Sequence, residues 1–249
     1  VRGILEHENI MATFKRMERT CPADEMLARK FGSFTARSGR IYSGWGDENE
    51  IDHPVSKVMW ELRNSKEPPV ITFSIDPHET KPWAMTWQAT YRDSRKVVFM
   101  EWPDETMPLF EDMDRCSFSS SDYVRIIRDK ECGIRVFHRV ADKRFSFSKK
   151  ATGPSVADAL FEASRGEIVL ISDMGEERHN RLLVANEIRG DSESLEGSSH
   201  PRLFADRGCR NLCRAMRRWR WKENRGKAAE TTNRYKTEPE EQHKCFPNT

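Results

Sequence analysis

The densest chemistry in the chain lies between Arg207 and Lys227, RGCRNLCRAMRRWRWKENRGK, where nine Lys/Arg stand against a single Glu with Trp and Cys interleaved. At about 100° per residue, Arg207, Arg210, Arg214, Arg217 and Arg218 fall on one side of a helix with Trp221 among them. Leu212, Ala215, Met216 and Trp219 fall on the other side. Guanidinium groups pair bidentately with phosphate or carboxylate, and an indole offers a stacking surface. Arg220 and Lys222 extend the charge, so Arg207, Arg210, Arg214, Arg217, Arg218, Arg220, Trp221 and Lys222 form the expected nucleic-acid or anion-binding set. An acidic stretch of the same chain competes for that role. Residues 101–114 hold Glu101, Asp104, Glu105, Glu111, Asp112 and Asp114 without a basic residue.

Three other groupings could carry chemistry. Cys209 and Cys213 lie one helical turn apart, and His243 and Cys245 follow thirty residues on, which makes four weak zinc-ligand candidates. The spacing matches no standard zinc knuckle, so free thiols and no resident cofactor are expected. Asp76-Pro77-His78-Glu79 follows an apolar run. Acid, imidazole and acid at a strand end suit metal binding or proton transfer, but two nearby prolines shape an ordinary polar turn equally well. Arg135, Phe137 and Arg139 share one face if the segment is extended, a pattern that can stack unpaired bases. Aromatics at period two are more often core.

The elements that must position these groups are read from periodicity. Helices are expected over 3–21, from Pro22 to Gly32, from Asp52 as cap to Asn64, over 155–164, and through the basic stretch. Strands are expected at Val70–Ile75, Trp83–Tyr91, Lys96–Trp102, Tyr123–Arg128, Ile134–Val140, Arg144–Lys149, Glu167–Ile171 and Leu182–Ile188. Short connections argue for antiparallel hairpins. The expected class is α+β: N-terminal helices, a mostly antiparallel sheet with one inserted helix, then a basic amphipathic helix and an extended tail. The expected division is 1–64 helical, 70–189 sheet domain, 190–200 linker, and 201–249 basic helix and tail.

The 249 residues carry a net charge of +2, unevenly distributed. Residues 207–227 hold +8, leaving 1–206 at −5. A mildly acidic body with local basicity argues against a protein embedded throughout in nucleic acid. The longest apolar runs are four residues, so no membrane span is expected. Six scattered Cys point to an intracellular compartment: cytoplasm, nucleus or an organelle matrix. A chain starting at Val1 is expected to be processed or excerpted. No P-loop, G-x-G-x-x-G, G-x-S-x-G or H-E-x-x-H occurs. The functional expectation is a non-catalytic accessory subunit of an RNA-containing (ribonucleoprotein) assembly, with other protein subunits and RNA as partners. The alternatives are a protein–protein interaction subunit docking on an acidic surface, and an enzyme with a non-local site.

Overall fold

Between Val70 and Asp76 every second residue is buried, as period two demands of a strand with one face in a core. The computed structural model describes residues 40–79, 81–104, 118–148, 153–172, 177–190, 200–223 and 235–239. The helices expected over 3–32 lie outside them. The described strands are β1 (Glu50–Ile51), β2 (Val70–Asp76), β3 (Ala84–Thr90), β4 (Lys96–Trp102), β5 (His138–Ala141), β6 (Ile171–Ser172), β7 (Leu203–Asp206), β8 (Trp221–Glu223) and β9 (Tyr235–Pro239). The helices are α1 (Val55–Asn64), α2 (Ser120–Lys130), α3 (Lys143–Phe147), α4 (Val156–Ala163), α5 (Glu177–Arg189) and α6 (Arg210–Arg218).

Seven strands form one sheet in the order β1-β7-β4-β3-β2-β5-β6, and β8 pairs separately with β9. Four of the six neighbouring pairs are parallel. Only β2–β3 and β3–β4 are antiparallel, so β3 alone runs against the rest. The class is therefore α/β with a mixed, mostly parallel sheet, and the expected mostly antiparallel α+β arrangement is incorrect. The reason is visible in three segments read as strands that fold as helices. Parallel neighbours need a long crossover, usually helical, and these segments supply it.

Tyr123–Arg128 lies inside α2. Ser119 Oγ accepts from the Asp122 N–H at 3.3 Å, and the Ser119 N–H donates to Asp122 Oδ2 at 2.9 Å, a reciprocal cap. Arg144–Lys149 overlaps α3, capped by Asp142. Leu182–Ile188 lies inside α5, where Val184 and Ile188, four apart, are buried while Leu182 and Leu183 are exposed. Gly190 closes α5 at φ +77°, and a Cβ there would lie 1.7 Å from the His200 carbonyl oxygen. The expected strand over Glu167–Ile171 contracts to β6 at its end. Pro54, rather than Asp52, caps α1.

Helices cover both faces. One face buries Phe73, Trp87 and Phe99 with Val58, Val124, Ile127 and Leu160 from α1, α2 and α4. The opposite face buries Val98, Leu203 and Ala205 with Val184 and Ile188 from α5, and Leu212, Cys213 and Met216 from α6. Among the described residues, no helix is long and apolar enough to cross a membrane.

Candidate active site at the carboxyl edge of the sheet

Because six strands run the same way, their carboxyl ends share one edge, where open α/β sheets bind ligands. This chain places acids there. Asp76 ends β2, Asp142 follows β5, and Ile75 pairs in register with Ala141. Asp76 and Asp142 are thus the next residues along two adjacent parallel strands, about 5 Å apart by strand spacing. Asp76 is half-buried and Asp142 exposed. Asp76 lies opposite Ala84 on the face that also carries Ser74 and Thr86.

Each acid is held from behind. Asp142 Oδ1 accepts the Arg144 and Phe145 amides at 2.8 and 3.0 Å. The turn after Asp76 is fixed by the Trp83 indole, which donates to the His78 carbonyl at 3.0 Å and stacks on Tyr123 at 3.8 Å. The Lys81 N–H donates to His78 Nδ1 at 3.1 Å. His78 therefore shapes the turn, while Glu79 is exposed.

Farther along the sheet, the acids at or beyond the strand ends serve the fold. Glu101, on β4, is 2% exposed. Its two oxygens accept the Asn211 and Leu212 amides at 2.9 and 2.8 Å, at the N-terminus of α6. Burial outweighs these bonds and pushes its pKa up to about 7. Asp206 accepts from the His53 and Gly208 amides, and Asp104 pairs with Lys130. These residues border a cleft of about 340 Å³.

The basic segment is divided between helix and strand. Arg210, Arg214, Arg217 and Arg218 are exposed on α6, opposite buried Leu212, Cys213 and Met216. Arg217 pairs with Asp47 and Glu50 at 2.6 and 2.7 Å, and Arg207 with Asp52 at 2.9 Å. The acids that receive these arginines are therefore at 47–52. Of the expected competitor segment, residues 105–114 lie outside the described ones, and Glu101 receives the helix end instead. The helix stops at Trp219 because the segment beside it takes over: the Ile41 N–H donates to the Trp219 carbonyl at 2.8 Å, and Tyr42 packs on Trp219 at 5.5 Å. Arg220 bridges to Arg40, and Trp221 and Lys222 belong to β8.

Cys209 and Cys213 are buried in the α5–α6 core. Burial raises both thiols, Cys213 to about 12. That opposes the thiolate a metal requires. His243 and Cys245 lie outside the described residues. Arg135 and Phe137 are exposed together, with the guanidinium 5.0 Å from the ring. Arg139 instead pairs with Glu131, whose other oxygen accepts the Trp87 indole N–H. Of the three, Arg139 lies in β5, while Arg135 and Phe137 precede it. Asp142 had no separate signal in the sequence, where it reads as a turn between two strands.

No family model matches the chain, and no curated protein matches it either. Solved structures do. The large terminase of the thermophilic bacteriophage D6E matches at 14% identity and a TM-score of 0.56, over 93% of this chain and 48% of that one. Its ADP complex matches at 15% and 0.57. The P22 large terminase nuclease domain matches at 11% and 0.54, over 85% of this chain and 88% of that one. The chain therefore spans about half of the D6E protein and most of the P22 domain. At such identity the likeness shows a shared fold. It overturns the expectation of a non-catalytic, RNA-binding ribonucleoprotein subunit, because the proteins that share this architecture are terminases, one of them a nuclease domain by name.

Proposed function

We propose that this chain is a nuclease module of the large-terminase type, hydrolysing phosphodiester bonds in DNA at Asp76 and Asp142. The observation that carries this reading is the juxtaposition of the two aspartates on adjacent parallel strands, in a fold shared with a terminase nuclease domain. An ATP-driven motor is the other activity suggested by the D6E complexes. The chain spans 88% of a nuclease domain alone, against about half of the ADP-binding protein, and this favours the nuclease.

Two carboxylates and a phosphodiester are all anionic, so they meet only across a cation. The donor set fits a hard one. It offers two carboxylates and no thiolate, a pair rather than a closed protein cage, because among the described residues no group of three or more His, Cys, Asp or Glu could hold a metal. Magnesium or manganese bound by two carboxylates keeps waters and takes phosphate oxygens as further ligands. Such an ion supplies charge neutralisation and an activated water. The chain's own contribution is placement. The β2–β3 ladder fixes Asp76, and the α3 amides fix Asp142 through one oxygen, leaving the other for the edge.

The test is nicking of supercoiled plasmid with magnesium or manganese. Wild type nicks, EDTA stops it, and Asp76→Asn and Asp142→Asn each abolish it. Nicking that survives in both variants overturns the assignment.

A further inference from the structure

Helix α1 turns two different faces to its surroundings. Val55, Val58, Met59 and Leu62 pack into the core, and Glu61 turns in beside His53 and Tyr91. At about 100° per residue, Ser56, Lys57, Trp60, Arg63 and Asn64 fall within about 120° of one another on the other side. All five are exposed. Trp60 is 64% exposed, the highest value for any large hydrophobic side chain among the described residues. One turn to either side of it stand Lys57 and Arg63, whose side chains have no ion-pair or hydrogen-bond partner among the described residues. The arc holds no acid, in a chain whose residues 1–206 sum to −5. Its place is fixed by the fold. Ser56, in the first turn, lines the cleft with Glu101 and Asp206, so the row starts at the carboxyl edge of the sheet.

We propose that Lys57, Trp60 and Arg63 form a binding surface for single-stranded DNA, with a base stacked on the Trp60 indole and phosphates on the two cations. The inference goes beyond the nuclease reading and stands on exposure, charge and aromaticity. Lys57 and Arg63 are about 9 Å apart along the helix axis. That is between two and three phosphate steps of a stacked strand, at about 3.4 Å each. The indole lies midway, where the base of an intervening nucleotide falls. Every base has a π-face, so stacking needs no particular sequence. In a duplex those faces are hidden within the stack, which selects a single strand. An acidic protein surface would match the cations but would need an apolar pocket set between its acids for the indole. A lipid surface would need more than one apolar side chain on the arc. A strand alternates phosphate and ring by its own chemistry.

The experiment is fluorescence anisotropy of the full chain with a fluorescein-labelled 20-nucleotide oligothymidine in EDTA, over a salt series. Wild type should bind. Trp60→Ala should weaken binding about tenfold, the scale of one lost stack, with its salt slope kept. Trp60→Leu, apolar without a ring, should be as weak, and it serves where Trp60→Ala does not fold. Trp60→Phe should bind more tightly than either. Lys57→Gln combined with Arg63→Gln should lower the slope of log affinity against log salt by about 1.4, the share of two phosphates on a single strand. If that pair does not fold, Arg63→Gln alone should lower the slope by about 0.7. An unchanged slope overturns the proposal, as does a wild type that does not bind. So does Trp60→Ala or Trp60→Leu binding within twofold of wild type, or Trp60→Phe binding no better than they do. Polyglutamate of the same length should compete poorly. If it displaces the strand at equal concentration from wild type but not from Trp60→Ala, the surface belongs to an acidic protein and the proposal fails. Nicking is read separately. A chain that binds the strand through Trp60 but never nicks removes the nuclease reading and leaves the surface. A chain that nicks, and binds the strand equally with and without Trp60, removes the surface alone.

Discussion

The sheet carries two sets of acids toward one edge, one taken up by the fold and one that the proposed nuclease would use. Over β4 and β7, Glu101 and Asp206 are roofed by the start of α6 and by the turn before it, and backbone amides take up their oxygens. Beyond β2 and β5, Asp76 is half-buried and Asp142 exposed, Asp142 held by the first amides of α3 and Asp76 followed by a turn that Trp83 fixes. A carboxylate becomes structural or chemical according to what closes over it. Glu101 has its pKa raised, because burial removes its charge from water.

The largest expected effect separates the two sets by activity. Asp142→Asn should lower nicking about 10³-fold or more, the scale of losing one electrostatic group on which transition-state stabilisation depends. Its melting temperature should stay within a few degrees of wild type. A variant that melts far lower would make Asp142 structural, and the contrast would fail.

Next comes Glu101→Ala. It leaves the Asn211 and Leu212 amides without their partner and opens a cavity, at a cost of about 3 kcal/mol. Denaturant unfolding checks this, and a loss under about 1 kcal/mol would show that α6 is held by Leu212, Cys213 and Met216 alone.

The pH dependence follows from the raised pKa. The folded state binds the Glu101 proton more tightly than the unfolded chain, so this group favours folding most below about pH 4.5 and less as pH rises to about 7. His53 works the other way. Its pKa is lowered by burial, so it favours the fold above its ordinary value of 6.5 and opposes it on acidification. The comparison with Glu101→Gln isolates Glu101. Wild-type stability relative to this variant should fall by about 3 kcal/mol between pH 4.5 and 7.5. A flat difference would mean that the helix amides fully compensate the buried charge.

Smaller effects sharpen the edges of the comparison. Tyr91→Phe removes the hydroxyl between His53, at 2.6 Å, and Glu61, at 2.5 Å, and should cost about 1 kcal/mol. Arg217→Ala breaks an exposed pair with Asp47 and Glu50 and should cost under about 1 kcal/mol in low salt, and less in high salt.

Some of this was legible in the residues. The three strands from Val70 to Trp102 show their period, the helices at Val55–Asn64 and Val156–Ala163 show theirs, and Arg210–Arg218 separates arginine from Leu212, Cys213 and Met216. Asp76 stood out beside His78 but read as a polar turn. Asp142 was illegible, because the mixed apolar and basic run around it fits an extended or a helical period equally well. A helix there turns a hairpin corner into the end of a parallel strand.

By itself, then, the sequence determined which short stretches are apolar on one side, where charge concentrates, and which acids stand next to strands. Only the tertiary structure decided that β5 runs parallel to β2 and that Glu101 is covered while Asp76 and Asp142 lie at the edge. The physical reason is that register and direction are set by contacts between residues far apart in the chain. Ile75 beside Ala141, and Glu101 beneath Leu212, leave no trace in local periodicity.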